Sequence, residues 1–92
     1  MNAQKIEKEE IVKLHFLPTD VFNNEVQKIE RSQKLTNAAI LGNTEKEKCK
    51  IIFHTKEGDS FIETTICAVT DKYICLKGGI SLLIASIFDV IL

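Results

Sequence analysis

The stretch from Cys49 to Leu92, CKIIFHTKEGDSFIETTICAVTDKYICLKGGISLLIASIFDVIL, constrains the fold more than any other part of the chain. β-Branched and aromatic residues recur there in short runs between turn signals, which is how strands read. CKIIFHT (49–55) is a first strand, and KEGD (56–59) is a turn in which Gly58 can take a positive φ. SFIETTICAVT (60–70) is a second strand, long enough that it is expected to bend or bulge. TDK (70–72) is a tight hairpin turn, YICLK (73–77) a third strand and Gly78–Gly79 the next turn. ISLLI (80–84) is a fourth strand. A one-turn 3₁₀ link at Ala85–Ser86 then leads into a fifth, Phe88–Leu92. The expectation is a mainly β chain with an N-terminal helix, an α+β fold. Its five strands curve into a small sheet or barrel on which the helix packs.

The hairpin around Asp71 is the most informative local feature. With Asp71 at its centre, Ala68 faces Ile74 and Ile66 faces Leu76 on one side, while Val69 faces Tyr73 and Cys67 faces Cys75 on the other. Both faces are then apolar, although a two-layer core needs only one. The second face, with Cys67, Val69, Tyr73 and Cys75, must be covered by the helix or by a partner subunit.

Upstream, residues 1–10 are polar and are expected to be a solvated, frayed arm. In EIVKLHFLP, Val12, Leu14 and Phe16 alternate with Lys13 and His15, which suits a short strand on the barrel edge. A helix is the rival, since Ile6, Leu14 and Leu17 could share a helical face. Thr19 or Asp20 can cap a helix running through VFNNEVQKIERSQKL, with Phe22, Val26 and Ile29 as one apolar stripe. Leu35 lies off that stripe, so the helix should turn or end near Ser32–Lys34. AAILGN (38–43) would be a last apolar turn or a short docking segment, closed by Gly42 and Asn43, and TEKEK (44–48) a solvated link. All 92 residues make one domain, divided as arm and helix (11–43) and β core (44–92).

Charge excludes more than it suggests. Lys plus Arg number 12 against 13 Asp plus Glu, with a single arginine, Arg31. The lysines that could gather on one rim (Lys46, Lys48, Lys50, Lys56 and Lys77) have Glu45, Glu47, Glu57 and Asp59 interleaved among them. Nucleic acid is therefore an unfavoured partner, and no run is long and apolar enough to suggest a membrane span. Three cysteines without a C-x-x-C pair make no disulfide framework and no metal motif, and the first residues lack the apolar core of a signal peptide. A reducing cytoplasm is the expected compartment.

Candidate chemistry is sparse. Cys49, His54 and Asp59 contain the residue types of a nucleophile–base system, but residues 49 and 54 of one strand point to opposite faces. Glu57, Asp59 and Glu63 straddle a solvated turn, where paired acid–base tuning has no cause. No phosphate-loop glycine pattern is present. Neither enzymatic activity, nor a metal, nor a cofactor is expected.

The order of helix, KIIFHTKEGDSFIETTICAVTDKYICLK and a glycine-broken strand pair resembles the Sm-like small barrels, including the bacterial Hfq type, over residues 20–92. The resemblance implies an SH3-like or Sm-like barrel. Where the family usually bends its long second strand at a glycine, this chain has Glu63 and two threonines, and the family's RNA-contacting signature has no counterpart in GGISLLIASIFDVIL. Two functions follow as expectations. One is a non-enzymatic interaction module that binds protein, its own copy above all, through an apolar sheet face or strand edge, with Phe22, Val26, Ile29, Cys67, Val69, Tyr73 and Cys75 as the interaction surface. The other is an Sm-like RNA-binding oligomer.

Overall fold

A computed structural model describes residues 3–92. In chain order the elements are β1 (Gln4–Lys5), a 3₁₀ turn (Lys8–Lys13), α1 (Glu25–Glu45), β2 (Cys49–Thr55), β3 (Gly58–Thr64), β4 (Ile66–Val69), β5 (Tyr73–Leu76), β6 (Ile80–Leu83), a second 3₁₀ turn (Ile84–Ser86) and β7 (Ile87–Ile91). The strands form two sheets, a four-stranded one in the order β1-β3-β2-β7 and a three-stranded one in the order β4-β5-β6. The architecture is α+β, with one α-helix and two sheets that do not join into a closed barrel among the described residues. None of the described helices is long and apolar enough to cross a membrane.

Alternation sets the core. Along β2, Cys49, Ile51, Phe53 and Thr55 are buried, while Lys50, Ile52 and His54 face partly outward. Ile62, Ile66, Ile74, Leu76, Leu82 and Ile87 meet the same interior, each almost wholly excluded from water. Burying a side chain of this size contributes about 1.5–3 kcal/mol, so these positions dominate the stability. The expected bend in the long second strand falls at Thr65, where the chain leaves β3 in one sheet and enters β4 in the other. Gly78 and Gly79 turn the chain between β5 and β6 with φ of 93° and 81°, values that a side chain would strain.

The arm differs from its expectation. Gln4 and Lys5 pair in parallel with Ser60 and Phe61, so the segment read as frayed supplies an edge strand. Residues 11–17 are not the expected strand. Ile11 and Val12 fall in the 3₁₀ turn, Ile11 is buried, and Val12 is 76% exposed. Glu7 and Glu10 close a capping box at its start, which rewards a helical turn where alternation alone suggests extension. Past the turn, Phe16 stacks on Phe53 at 6.3 Å between ring centroids, and backbone bonds tie Lys56 N–H to the His15 carbonyl and Val21 N–H to the Ala85 carbonyl. The arm thus crosses the open side between the sheets.

Helix α1 begins later and runs further than its sequence pattern suggests. Asn24 is the N-cap, its side chain accepting from the N–H groups of Val26 and Gln27. Asp20 does not cap the helix, because its carboxylate accepts from Phe22 N–H and from the Arg31 guanidinium. The helix passes through Ser32–Lys34 without a break and ends at Lys46, in the left-handed region with φ 56°. The Phe22/Val26/Ile29 stripe is not the buried one. Arg31, Leu35, Ala38 and Gly42 face the core, spaced four, three and four apart. Gly42 is there for proximity, since a Cβ on it would lie 2.5 Å from the Ile66 carbonyl oxygen and 2.9 Å from the Thr65 methyl.

Candidate interaction surface

The β4–β5 hairpin has a different register from the expected one. Ile66 pairs with Leu76 as anticipated, but Ala68 pairs with Cys75 and Val69 with Ile74, because a bulge intervenes between Ile66 and Ala68. A one-residue slip exchanges the faces of every later position. Val69 therefore turns toward the core cluster, where it packs half-buried. Cys67, in the bulge, is exposed and does not oppose Cys75, and all three cysteines are free thiols. Tyr73 stays outside, 46% exposed, and Cys75 is half-buried. The doubly apolar hairpin is thus reduced to an outer face of Ala68, Tyr73 and Cys75, whose cross-strand neighbours on β6 include Ser81.

The remaining sequence-predicted residues part company too. Phe22 lies on the arm before α1, half-buried, with its ring edge-on to Phe88 and its face under Arg31, whose guanidinium carbon is 5.2 Å away. Val26 and Ile29 lie on the solvent face of α1, 61% and 56% exposed, and Ile40 continues that stripe at 54%. The sequence reading places Ile40 in AAILGN, beyond an expected turn or end at Ser32–Lys34, and so does not join it to the Val26/Ile29 stripe; the helix is unbroken there. The signal for Ile40 was available in the spacing of Val26, Ile29, Gln33, Thr36 and Ile40, steps of three and four residues along one side of a helix.

Between α1 and β7 runs a groove of about 460 Å³, floored by Phe22, Ile52, Phe88 and Val90 and walled by Arg31 and Lys34. Arg31 is buried and holds Asp20 with two nitrogens at 2.8 and 2.7 Å, donating also to the Ile87 carbonyl at 3.2 Å. Burial by itself would raise the Asp20 pKa, but the hydrogen bonds from Arg31 and from Phe22 N–H outweigh it and hold the carboxyl below its ordinary value. Among the described residues the buried Arg31 Nε finds no hydrogen-bond partner, which costs about 1–3 kcal/mol against a pair otherwise well satisfied. Lys34 reaches Asp89 at 2.7 Å, and Asp89 accepts in turn from Val90 N–H. Side chains thus occupy polar groups along β7 that would otherwise invite another strand.

The candidate catalytic residues come together only in part. His54 Nδ1 lies 2.6 Å from Asp59, across the β2–β3 ladder where the two residues are paired. Cys49 is on the opposite, buried face of the same strand, and burial pushes its thiol up to about 11, away from thiolate chemistry. The three carboxylates around the turn take separate partners. Glu57 meets His15, Asp59 meets His54, and Glu63 meets Lys5. The Glu57 carboxyl is held below its ordinary value by the His15 backbone N–H first and then by the His15 ring. Among the described residues no three His, Cys, Asp or Glu side chains converge as a metal site would require. Comparisons of the chain with protein-family models, with curated proteins and with solved structures found no match.

Proposed function

We propose that the protein is a non-enzymatic interaction module that self-associates through the solvent face of α1. One observation carries this reading: three branched aliphatic side chains, Val26, Ile29 and Ile40, stand more than half exposed on a single helical stripe. With Gln33 and Thr36 between them, they repeat at three- and four-residue steps, the seam of a helix pair. Two copies of α1 laid antiparallel about Gln33 set Val26 of each against Ile40 of the other. The two Gln33 amides then meet at the two-fold axis, where each offers its twin a donor and an acceptor. Six aliphatic side chains at about 1–2 kcal/mol each are set against an association cost of roughly 4–15 kcal/mol, which leaves a weak, concentration-dependent dimer.

Sedimentation velocity over a wide concentration range tests this. The wild-type chain is expected to move from monomer toward dimer, and a Val26→Glu/Ile40→Glu double variant to stay monomeric while keeping its helical content. A wild-type chain that remains monomeric at its highest soluble concentration overturns the reading.

Residues 49–91 are read here as an SH3-like, Sm-like arrangement of strands. The support is one long strand bent at Thr65 and a 3₁₀ turn joining the last two strands. The function tied to that layout, an RNA-binding ring, differs measurably from the module reading. It requires salt-sensitive binding of U-rich or A-rich RNA at physiological ionic strength, and the module reading expects none.

A further inference from the structure

We propose that the pocket where the end of α1 meets the β3–β4 bend is an anion site that takes inorganic phosphate or a small phosphomonoester. The pocket, of about 240 Å³, is lined by Gly42, Asn43, Lys46, Lys48, Thr65, Cys67 and Lys77. Among the described residues none of the three lysines forms an ion pair, which is true also of Lys13, Lys50, Lys56 and Lys72, but these three come together at one pocket. None of the acids that interleave with these lysines along the chain lines the pocket. Glu57 and Asp59 are engaged by histidines, and Glu45 and Glu47 do not line the pocket. Three lysines thus line one concavity to which no described carboxylate contributes, and a dianion is the fitting occupant.

The walls are held in place. Asn43 Nδ2 donates to the Cys67 carbonyl at 3.2 Å, and Lys77 N–H donates to the Thr65 carbonyl at 3.1 Å. The close approach of Gly42 to Ile66 leaves no space between helix and strand at this point. The helix end makes little demand on the lysines. Lys46 N–H and Glu47 N–H both donate to the Leu41 carbonyl, and Thr44 Oγ1 donates to the Ile40 carbonyl.

The lining also selects among anions. It contains no aromatic side chain, so a nucleobase would find nothing to stack on. The volume is below the roughly 300–1,000 Å³ of pockets that hold drug-sized ligands, which favours a small group over a nucleotide. Lysine ammoniums are point charges without the planar fork of arginine, so orientation of the anion is loose and its recognition rests on charge.

The experiment is a titration of the full ¹⁵N-labelled chain with inorganic phosphate at constant ionic strength, followed by amide chemical shifts. Saturable shifts confined to Gly42, Asn43, Thr65, Cys67 and Lys77 are expected, weakened about tenfold or more in a Lys46→Gln/Lys48→Gln/Lys77→Gln variant. Scattered or non-saturating shifts, or an unchanged response in a folded triple variant, overturn the proposal. A second measurement needs no variant. Phosphate should slow iodoacetamide alkylation of Cys67 relative to Cys75 in the wild-type chain, and equal rates with phosphate or matched chloride count against the site.

Discussion

Helix α1 turns one side to the core and another to solvent, and the two sides can be compared residue by residue. The inner side carries Arg31, Leu35, Ala38 and Gly42; the outer side carries Val26, Ile29 and Ile40. By side-chain hydrophobicity alone the outer side would be chosen for burial. What decides is complementarity. Gly42 and Ala38 allow the helix to lie close against β4, Leu35 fills the interior, and the buried Arg31 finds a half-buried carboxylate in Asp20. A helix packs on the face that fits its neighbours, and apolar residues left outside then call for another explanation.

The largest effect that would break this comparison is loss of the Arg31–Asp20 pair. Asp20→Asn leaves a guanidinium buried against a neutral amide and is expected to cost about 3–5 kcal/mol in denaturant unfolding. Retention of wild-type stability would show that Arg31 does not depend on its partner. The same pair has a pH signature. The folded-state pKa of Asp20 is depressed, so its stabilisation is present above the unfolded value, about 3.9, and is lost as pH falls through the folded one. Wild-type stability should therefore show a decline below about pH 4, and Asp20→Asn should lack that component.

Next in size is the contrast between Leu35 and Ile29. Leu35→Ala is expected to cost about 2–5 kcal/mol, and Ile29→Ala no more than about 0.5 kcal/mol at concentrations where the chain is monomeric. Comparable losses for both would put the two sides of the helix on an equal footing. Smaller again is Gly42→Ala, where the added methyl meets the Ile66 carbonyl. A loss of about 1–3 kcal/mol is expected, although alanine is the better helix former by about 1 kcal/mol. A stabilised Gly42→Ala variant would mean that helix and strand have slack at that contact.

Much of the β region was legible. β2 falls at Cys49–Thr55 as read, and β5, β6 and β7 begin or end within a residue or so of their expected bounds. Turn glycines and apolar alternation are local signals, and a strand edge is a local event. A bend or bulge in 60–70 was legible from its length, but the position of the bulge at Cys67 was not, since ICAV alternates equally well with or without it, and so Val69 was assigned to the wrong face. The face of α1 was missed for a related reason. A charged residue at position 31 reads as solvent-facing until its partner is known, and Asp20, eleven residues away, had been assigned to a cap. Of the candidate surface, Val26 and Ile29 were found from aliphatic spacing. The lysine pocket was legible only in part: Lys46, Lys48 and Lys77 are among the five lysines that could share a rim, but their meeting with Asn43, Thr65 and Cys67 depends on the fold.

The bend at Thr65 has a consequence for how the chain folds. Gly58 to Val69 is one continuous run that belongs to both sheets, so neither sheet can be completed or lost without the other. The two are expected to form and melt as one cooperative unit. The N-terminal arm is different, because Gln4 reaches Ser60 only by closing a loop that encloses α1 and β2, and loop closure of that span is entropically expensive before any contact rewards it. The arm should therefore be the last segment to dock during folding and the first to open in the native state, uncovering the Phe16–Phe53 stack while the sheets stay paired.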